Sequence, residues 1–307
     1  MTDEPTHEMK PWPDVHGLVV DLDGTVYRGD IAIPGALEAL EQCGENGTPV
    51  VFVTNNSTKS RREFAEKLNR LGYPATDEQI VSSAHATGQL LRERYTTGTP
   101  IYVVGAPALV EAVTDAGFVA TDRHAEVVVV GLDRSFTYDK LRTAIRLILA
   151  GADFIATNPD PLIPTGADLD PGAGTLVAAV QAGTATSPVV IGKPETNLIM
   201  LALRVLGTKP ENTVMVGDQL QTDVQAGQRA GLFAVLTTTG VPTGVGRAIT
   251  PDRVIADLRE IPTRRSGGGQ SALGHPGHQG SLASASQAGQ PSSSGSPGEA
   301  PLVTSSS

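Results

Sequence analysis

Between about residues 15 and 262, short apolar runs alternate with stretches whose apolar residues recur every three or four positions. The runs fall at 16–22, 49–54, 100–104, 126–130, 153–156, 188–191, 213–216 and 233–236 and are rich in β-branched residues. They are nearly continuous in apolar residues, as expected of parallel strands covered on both faces. Helical periodicity marks 59–71, 140–149, 196–206 and 220–230; in the first of these, Phe64, Leu68 and Leu71 share one face. Strand–helix–strand repetition predicts an α/β fold of parallel sheets with right-handed crossovers. Ligands of such sheets bind beyond the carboxyl ends of the strands, so the residues that end each run are the first candidates for chemistry.

The two ends of the chain read differently. Residues 1–14 are polar and broken by proline, a flexible leader with nothing resembling a signal peptide. From about Ser266 the composition narrows to Gly, Ser, Pro, Gln and Ala; a tail over 266–307 with so little to bury is expected to stay disordered. The net charge of −10 opposes binding to nucleic acid, which needs basic patches, and to anionic membranes. An anionic substrate would therefore need a local positive site. The single cysteine, Cys43, forbids an intrachain disulfide and fits a reducing compartment. With no apolar run long enough to span a membrane, a cytoplasmic location is expected.

Four of the runs end in groups with chemical potential. The first ends in Asp21-Leu22-Asp23-Gly24-Thr25. Residues two apart on a strand share a face, so the carboxylates of Asp21 and Asp23 would project together, and paired carboxylates favour a hard cation such as magnesium. The second ends in Thr54-Asn55-Asn56-Ser57-Thr58 ahead of a helix; hydroxyls and free backbone N–H groups there form a phosphate cradle or a simple helix cap. The third ends in Gly192-Lys193-Pro194-Glu195 and the fourth in Gly217-Asp218, with Asp223 about one helical turn on. Each has a capping explanation on its own. Capping, however, gives no reason for a lysine among the carboxylates, whereas one phosphate and one cation account for the whole set.

This ordered set resembles the haloacid dehalogenase (HAD) superfamily over about residues 15–262. The phrases Thr54-Asn55-Asn56-Ser57, Thr157-Asn158-Pro159-Asp160 and Gly192-Lys193-Pro194-Glu195 look like its 4-nitrophenylphosphatase, phosphoglycolate phosphatase and glycerol-3-phosphate phosphatase-like subgroup, which carries a large α/β cap. The resemblance implies a Rossmann-like parallel-sheet core formed by 15–85 and 188–262, interrupted by a cap over 86–187. It implies Asp21 as nucleophile and Asp23 as general acid and base. Mg2+ would be held by Asp21, Asp218 and the backbone carbonyl of Asp23. Thr54, Asn55 and Lys193 would bind the phosphate, with Asp223 supporting either Lys193 or a metal-bound water. Residues 26–33 would form a hairpin flap beside the nucleophile.

The reaction expected from this resemblance is hydrolysis of a small phosphorylated metabolite through an aspartyl-phosphate. In the cap, Asp133, Arg134, Tyr138, Asn158 and Asp160 are candidates for reading the leaving group, a role that competes with ordinary turn chemistry. No aromatic cluster stands among them to stack a base, which ranks glycerol 3-phosphate first, phosphoglycolate second and nucleoside monophosphates below both. A homodimer through the cap is the assembly the subgroup allows. The rival readings are a non-hydrolytic phospho-receiver module, a phosphomutase, a dehalogenase and a dinucleotide-binding domain. The last lacks its Gly-x-Gly-x-x-Gly signature after the first strand.

Overall fold

The computed structural model describes residues 10–165, 168–240 and 249–262. Two parallel sheets organise them. The first has six strands in the order Arg253–Ile255, Phe233–Thr237, Thr213–Gly217, Gly17–Asp21, Val50–Thr54 and Ile80–Ser82. The second has five, in the order Val189–Val190, Asp153–Ala156, Val127–Val130, Pro100–Val104 and Val119–Ala120.

Alternate residues of each strand serve opposite faces. Leu18 and Val20 pack with Phe52, Phe64, Leu68, Val214 and Val216 beneath the helices Ala36–Glu45 and Arg61–Leu71. Val19 points the other way, into a cluster with Val51, Val53, Met215, Leu198 and Ala202. The same cluster continues through Leu91 and Leu109 into Ile101, Val127, Val129 and Ile155 of the second sheet. One apolar layer thus joins the six-stranded sheet to the inserted segment. The far face of the second sheet, Tyr102, Val104, Val128 and Val130, is covered by Ala144, Ile148, Val177 and Val180 from the helices Tyr138–Leu149 and Ala173–Thr184.

Several expectations need adjustment. The run at 188–191, expected in the core, forms the short strand Val189–Val190, which pairs with Asp153–Ala156 at the edge of the second sheet. An apolar run encodes a buried strand but not the sheet that receives it. The helix expected at 220–230 begins as a π-helical turn, Leu220–Val224, before the α-helix Gln225–Arg229. Part of the expected leader is packed: the Trp12 ring lies 5.4 Å from that of Phe233, with the Arg253 guanidinium over the indole at 5.1 Å, and Lys10 pairs with Asp252. Packing of the partly buried indole against Phe233 holds this segment to the edge of the core sheet. The tail over 266–307 lies outside the described residues. Among the described residues, no helix is long and apolar enough to cross a membrane.

Candidate active site

The sheet register brings the expected residues to one edge. Gly17–Asp21 lies between Thr213–Gly217 and Val50–Thr54, with Val20 opposite Val216 and Asp21 opposite Val53. Asp21, Thr54 and Asp218 therefore leave the sheet side by side at its carboxyl end. Gly24 turns the chain sharply after Asp21, with φ of 91°, and a side chain there would run into the Asp218 carboxylate. Beyond the turn, Tyr27–Arg28 and Ile31–Ala32 pair as the expected hairpin.

Asp21, Asp218 and Asp223 each offer an oxygen, and these oxygens all lie within 4.8 Å of one another. The buried Lys193 ammonium donates to Asp21 Oδ1 at 2.5 Å and to Asp223 Oδ1 at 2.6 Å. Asp223, carried on the π-helical turn, also accepts the Gln219 backbone N–H through Oδ2 at 3.0 Å. Asp223 thus makes the contact with Lys193 that is one of the two roles foreseen for it. Burial alone would lower the lysine pKa, but Asp21 and Asp223 outweigh it and raise it, so the ammonium stays charged.

Three carboxylates against one ammonium leave a net charge of −2 when all are ionised. Burial pushes the Asp21 carboxyl well up, with Asp223 and Asp218 adding to the shift against Lys193. It also raises Asp218 to about 6, with Asp223 again contributing. Asp218 Oδ1 is buried without a hydrogen-bond partner. An all-oxygen donor set, an orphaned carboxylate oxygen and two uncompensated charges fit a hard divalent cation.

Asp23 stands apart from this trio. It is exposed at the mouth of the site, yet the surrounding protein desolvates its carboxyl and raises its pKa against the pull of Lys67, Lys59 and Lys193. Lys67 is a participant the sequence reading passed over. Its ammonium lies 3.4 Å from the centre of the Tyr27 ring, and its side chain is buried. The available signal was a lysine on the apolar face of Arg61–Leu71, three residues after Phe64. Gln219 is a second such residue, donating through Nε2 to Asp218 Oδ2 at 2.9 Å.

The residues expected to touch substrate divide into those facing the cluster and those engaged elsewhere. The Thr54 hydroxyl is buried at the strand end and accepts from Asn56 N at 3.2 Å. The amides of Asn55 and Asn158 are bonded to protein partners: Asn55 to Lys193 and Asp160, Asn158 to Asn55 O and Asp160 N. Asp133 accepts from Lys140 Nζ at 2.6 Å and from both groups of Ser135, which closes the turn before the Tyr138–Leu149 helix. Arg134 is exposed and paired with Asp170 at 3.0 Å. A separate groove of about 380 Å³, lined by Lys59, Arg61, His85, Arg92, Glu111 and Asp115 among others, includes none of the three clustered carboxylates.

Family comparisons agree with this geometry. A model described as haloacid dehalogenase-like hydrolase matches residues 18–119, and a HAD-hydrolase-like model matches 190–261. The chain is 40% identical to the 5'-nucleotidase YutF of Bacillus subtilis, over 73% of this chain and 88% of that one. It is 40% identical to an acid sugar phosphatase of Staphylococcus aureus, over 73% and 87%. Among solved structures, a glycerol phosphate phosphatase from Mycobacterium tuberculosis in complex with magnesium is 33% identical, with a TM-score of 0.74 over 80% of this chain and 76% of that chain. With the cluster and the α/β insertion in place, the chain belongs to the haloacid dehalogenase-like hydrolases.

Proposed function

We propose that this protein is a divalent-cation-dependent phosphoric monoester hydrolase that transfers phosphate from a small metabolite to Asp21 and then to water. The observation that carries the reading is the clustering of Asp21, Asp218 and Asp223 at the carboxyl edge of the core sheet, with the buried Lys193 ammonium bonded to Asp21 and Asp223. The phosphatase names of the relatives support the reaction class.

In this reading Asp21 attacks phosphorus, forming an acyl phosphate as the ester P–O bond to the leaving group breaks. Asp23, whose carboxyl pKa is raised by its desolvating surroundings, delivers a proton to the departing alkoxide. The same carboxylate then takes a proton from the water that attacks the acyl phosphate, which restores Asp21 and releases inorganic phosphate. Thr54 and Lys193 hold oxygens of the transferred group. Asp21, Asp218 and the backbone carbonyl of Asp23 would hold magnesium, whose charge offsets the repulsion between a carboxylate nucleophile and a phosphate dianion.

Glycerol 3-phosphate is the substrate we favour. The chain is only 4% aromatic, and the cap residues considered above offer no ring pair for a base. A similar solved structure is a glycerol phosphate phosphatase. The likeness to a 5'-nucleotidase supports nucleoside monophosphates as the second reading; phosphoglycolate needs a cation for its carboxylate, and Arg134 is paired with Asp170. Comparing kcat/KM for glycerol 3-phosphate, phosphoglycolate and UMP decides among them. A UMP value more than about tenfold above glycerol 3-phosphate, about 1.4 kcal/mol in transition-state binding, would overturn the ranking.

A further inference from the structure

Asn55 sits one residue beyond the end of its strand and joins three distant parts of the chain. Its side-chain Oδ1 accepts the Lys193 backbone N–H at 2.8 Å, and its Nδ2 donates to the Lys193 carbonyl at 2.9 Å. One amide thereby engages both backbone groups of a single residue. The second Nδ2 proton goes to Asp160 Oδ2 at 2.9 Å, on the loop that follows the strand Asp153–Ala156. The backbone carbonyl of Asn55 accepts from Asn158 Nδ2 at 2.7 Å and from Ser83 Oγ at 2.6 Å.

The backbone around this clasp is shaped to allow it. Gly192, just before Lys193, has no side chain; a Cβ there would lie 2.5 Å from Asn55 Oδ1 and 2.6 Å from the Thr157 carbonyl. The chain at Ile191 and Gly192 runs beside the second sheet, donating to Ala156 O and Thr157 O at 2.9 and 2.8 Å. It then delivers Lys193 across to Asp21 and Asp223 in the core. Lys193 is thus reached from the cap side, and Asn55 is the core residue that fixes its backbone there. Asp160 is half-buried with no ion-pair partner among the described residues; burial raises its pKa and the Asn55 hydrogen bond opposes the shift.

We propose that Asn55 is a positioning residue that locks the cap loop at Asp160 to the backbone of Lys193, so that cap placement and the aim of the Lys193 ammonium at Asp21 are set by one side chain. It acts through Lys193 rather than on the phosphate. The inference rests on the phosphatase reading above for its kinetic consequence, though not for its structural one.

The geometry distinguishes substitutions. Asn55→Ala removes all three side-chain bonds. Asn55→Asp keeps the acceptor for Lys193 N but turns an oxygen toward Asp160 Oδ2 and the Lys193 carbonyl. Asp160→Asn, made together with Asn55→Asp, restores a donor–acceptor pair between the two positions. With an aryl phosphate as substrate, Asn55→Ala is expected to lower kcat on the order of a hundredfold, the scale of a group displaced by about 1 Å, with little change in KM. Asn55→Asp is expected to lose more, and the paired Asn55→Asp/Asp160→Asn to recover at least about tenfold over Asn55→Asp alone, a coupling measured by the double-mutant cycle. Melting temperatures across the four proteins of that cycle, wild type, Asn55→Asp, Asp160→Asn and the pair, should be non-additive in the same sense.

Wild-type kcat in Asn55→Ala overturns the proposal. So do single effects that simply multiply in the pair. Weaker inhibition by inorganic phosphate in Asn55→Ala, with no recovery in the pair, would instead make Asn55 a direct phosphate ligand. Should the wild-type protein release no phosphate, the phosphatase reading fails alone, because the melting-temperature cycle still tests the clasp.

Discussion

The Lys193 ammonium lies 2.5 Å from Asp21 Oδ1 although 172 residues separate the two in the chain. The same ammonium holds Asp223 at 2.6 Å, so one lysine orders both Asp21, the proposed nucleophile, and the carboxylate behind it. Through these contacts the long insertion remains compatible with a single site.

Removing that lysine should damage activity and stability together. Lys193→Met leaves Asp21 and Asp223 buried without their cation; breaking a buried pair costs about 3–5 kcal/mol. Loss of a donor to the reacting phosphate should also lower kcat on the order of 10²–10³-fold. Urea unfolding at pH 8 and steady-state phosphate release measure the two. A variant of wild-type stability would show that the triad carries no buried charge.

Asp23→Asn separates leaving groups. Loss of general acid–base help should cost on the order of 10²–10⁴-fold on an alkyl phosphate. The cost should be smaller on an aryl phosphate, whose phenolate departs without a proton. Equal losses on both substrates would remove Asp23 from the first step.

The carboxylate cluster should behave as a cation site. Chelation is expected to abolish phosphate release and added magnesium to restore it. Calcium should inhibit, since its larger and more flexible coordination misplaces the reacting groups. A readout independent of turnover is the melting temperature, which should rise with magnesium in the wild type and not in Asp218→Asn. Full activity in excess chelator would contradict the role of Asp218.

His85 gives the folded state a pH dependence of its own. Burial, helped by Arg61 and Arg92, lowers its pKa to about 4, so the unfolded chain takes up the proton first as pH falls. Stability from this group is complete above about pH 6.5, declines between there and pH 4, and then levels off. The ring is partly solvated, so the effect should be on the order of 1 kcal/mol. His85→Gln should flatten this part of the unfolding-energy profile. An unchanged slope between pH 6.5 and 4 would show that His85 is not the group responsible.

The parts legible from sequence were those encoded locally. Runs such as 16–22 and 49–54 are apolar on both faces because both faces are covered, and they emerged as the strands Gly17–Asp21 and Val50–Thr54. Ile80–Ser82 was missed, since three residues are too few for a period to register. The hairpin of Leu162–Thr165 with Asp168–Pro171 was missed because its sides are mostly solvated and carry no apolar signal.

The site divides along the same line. Asp21 and Asp218 stand at the ends of neighbouring core strands, and their approach followed from strand order, whereas Lys193 arrives from a strand of the second sheet and Asp223 from the π-helical turn. The engagement of Asn55 with Lys193 and Asp160, and of Asp133 with Lys140, follows from side-chain directions that no spacing rule supplies. Residues proposed for substrate contact on the strength of lying in loops therefore proved in part to hold the loops together.

The central claim is that phosphate passes through Asp21, and reductive trapping tests it most directly. Enzyme mixed with an aryl phosphate and magnesium, quenched and treated with borohydride, should carry homoserine in place of the Asp21 side chain, because an acyl phosphate is reduced where a free carboxylate is not. Peptide mass spectrometry locates the change. The account predicts that modification at position 21, its absence without substrate, and its absence in a folded, inactive Asp21→Asn variant. Substantial phosphate release by Asp21→Asn, or an acyl phosphate trapped at another residue, would contradict it.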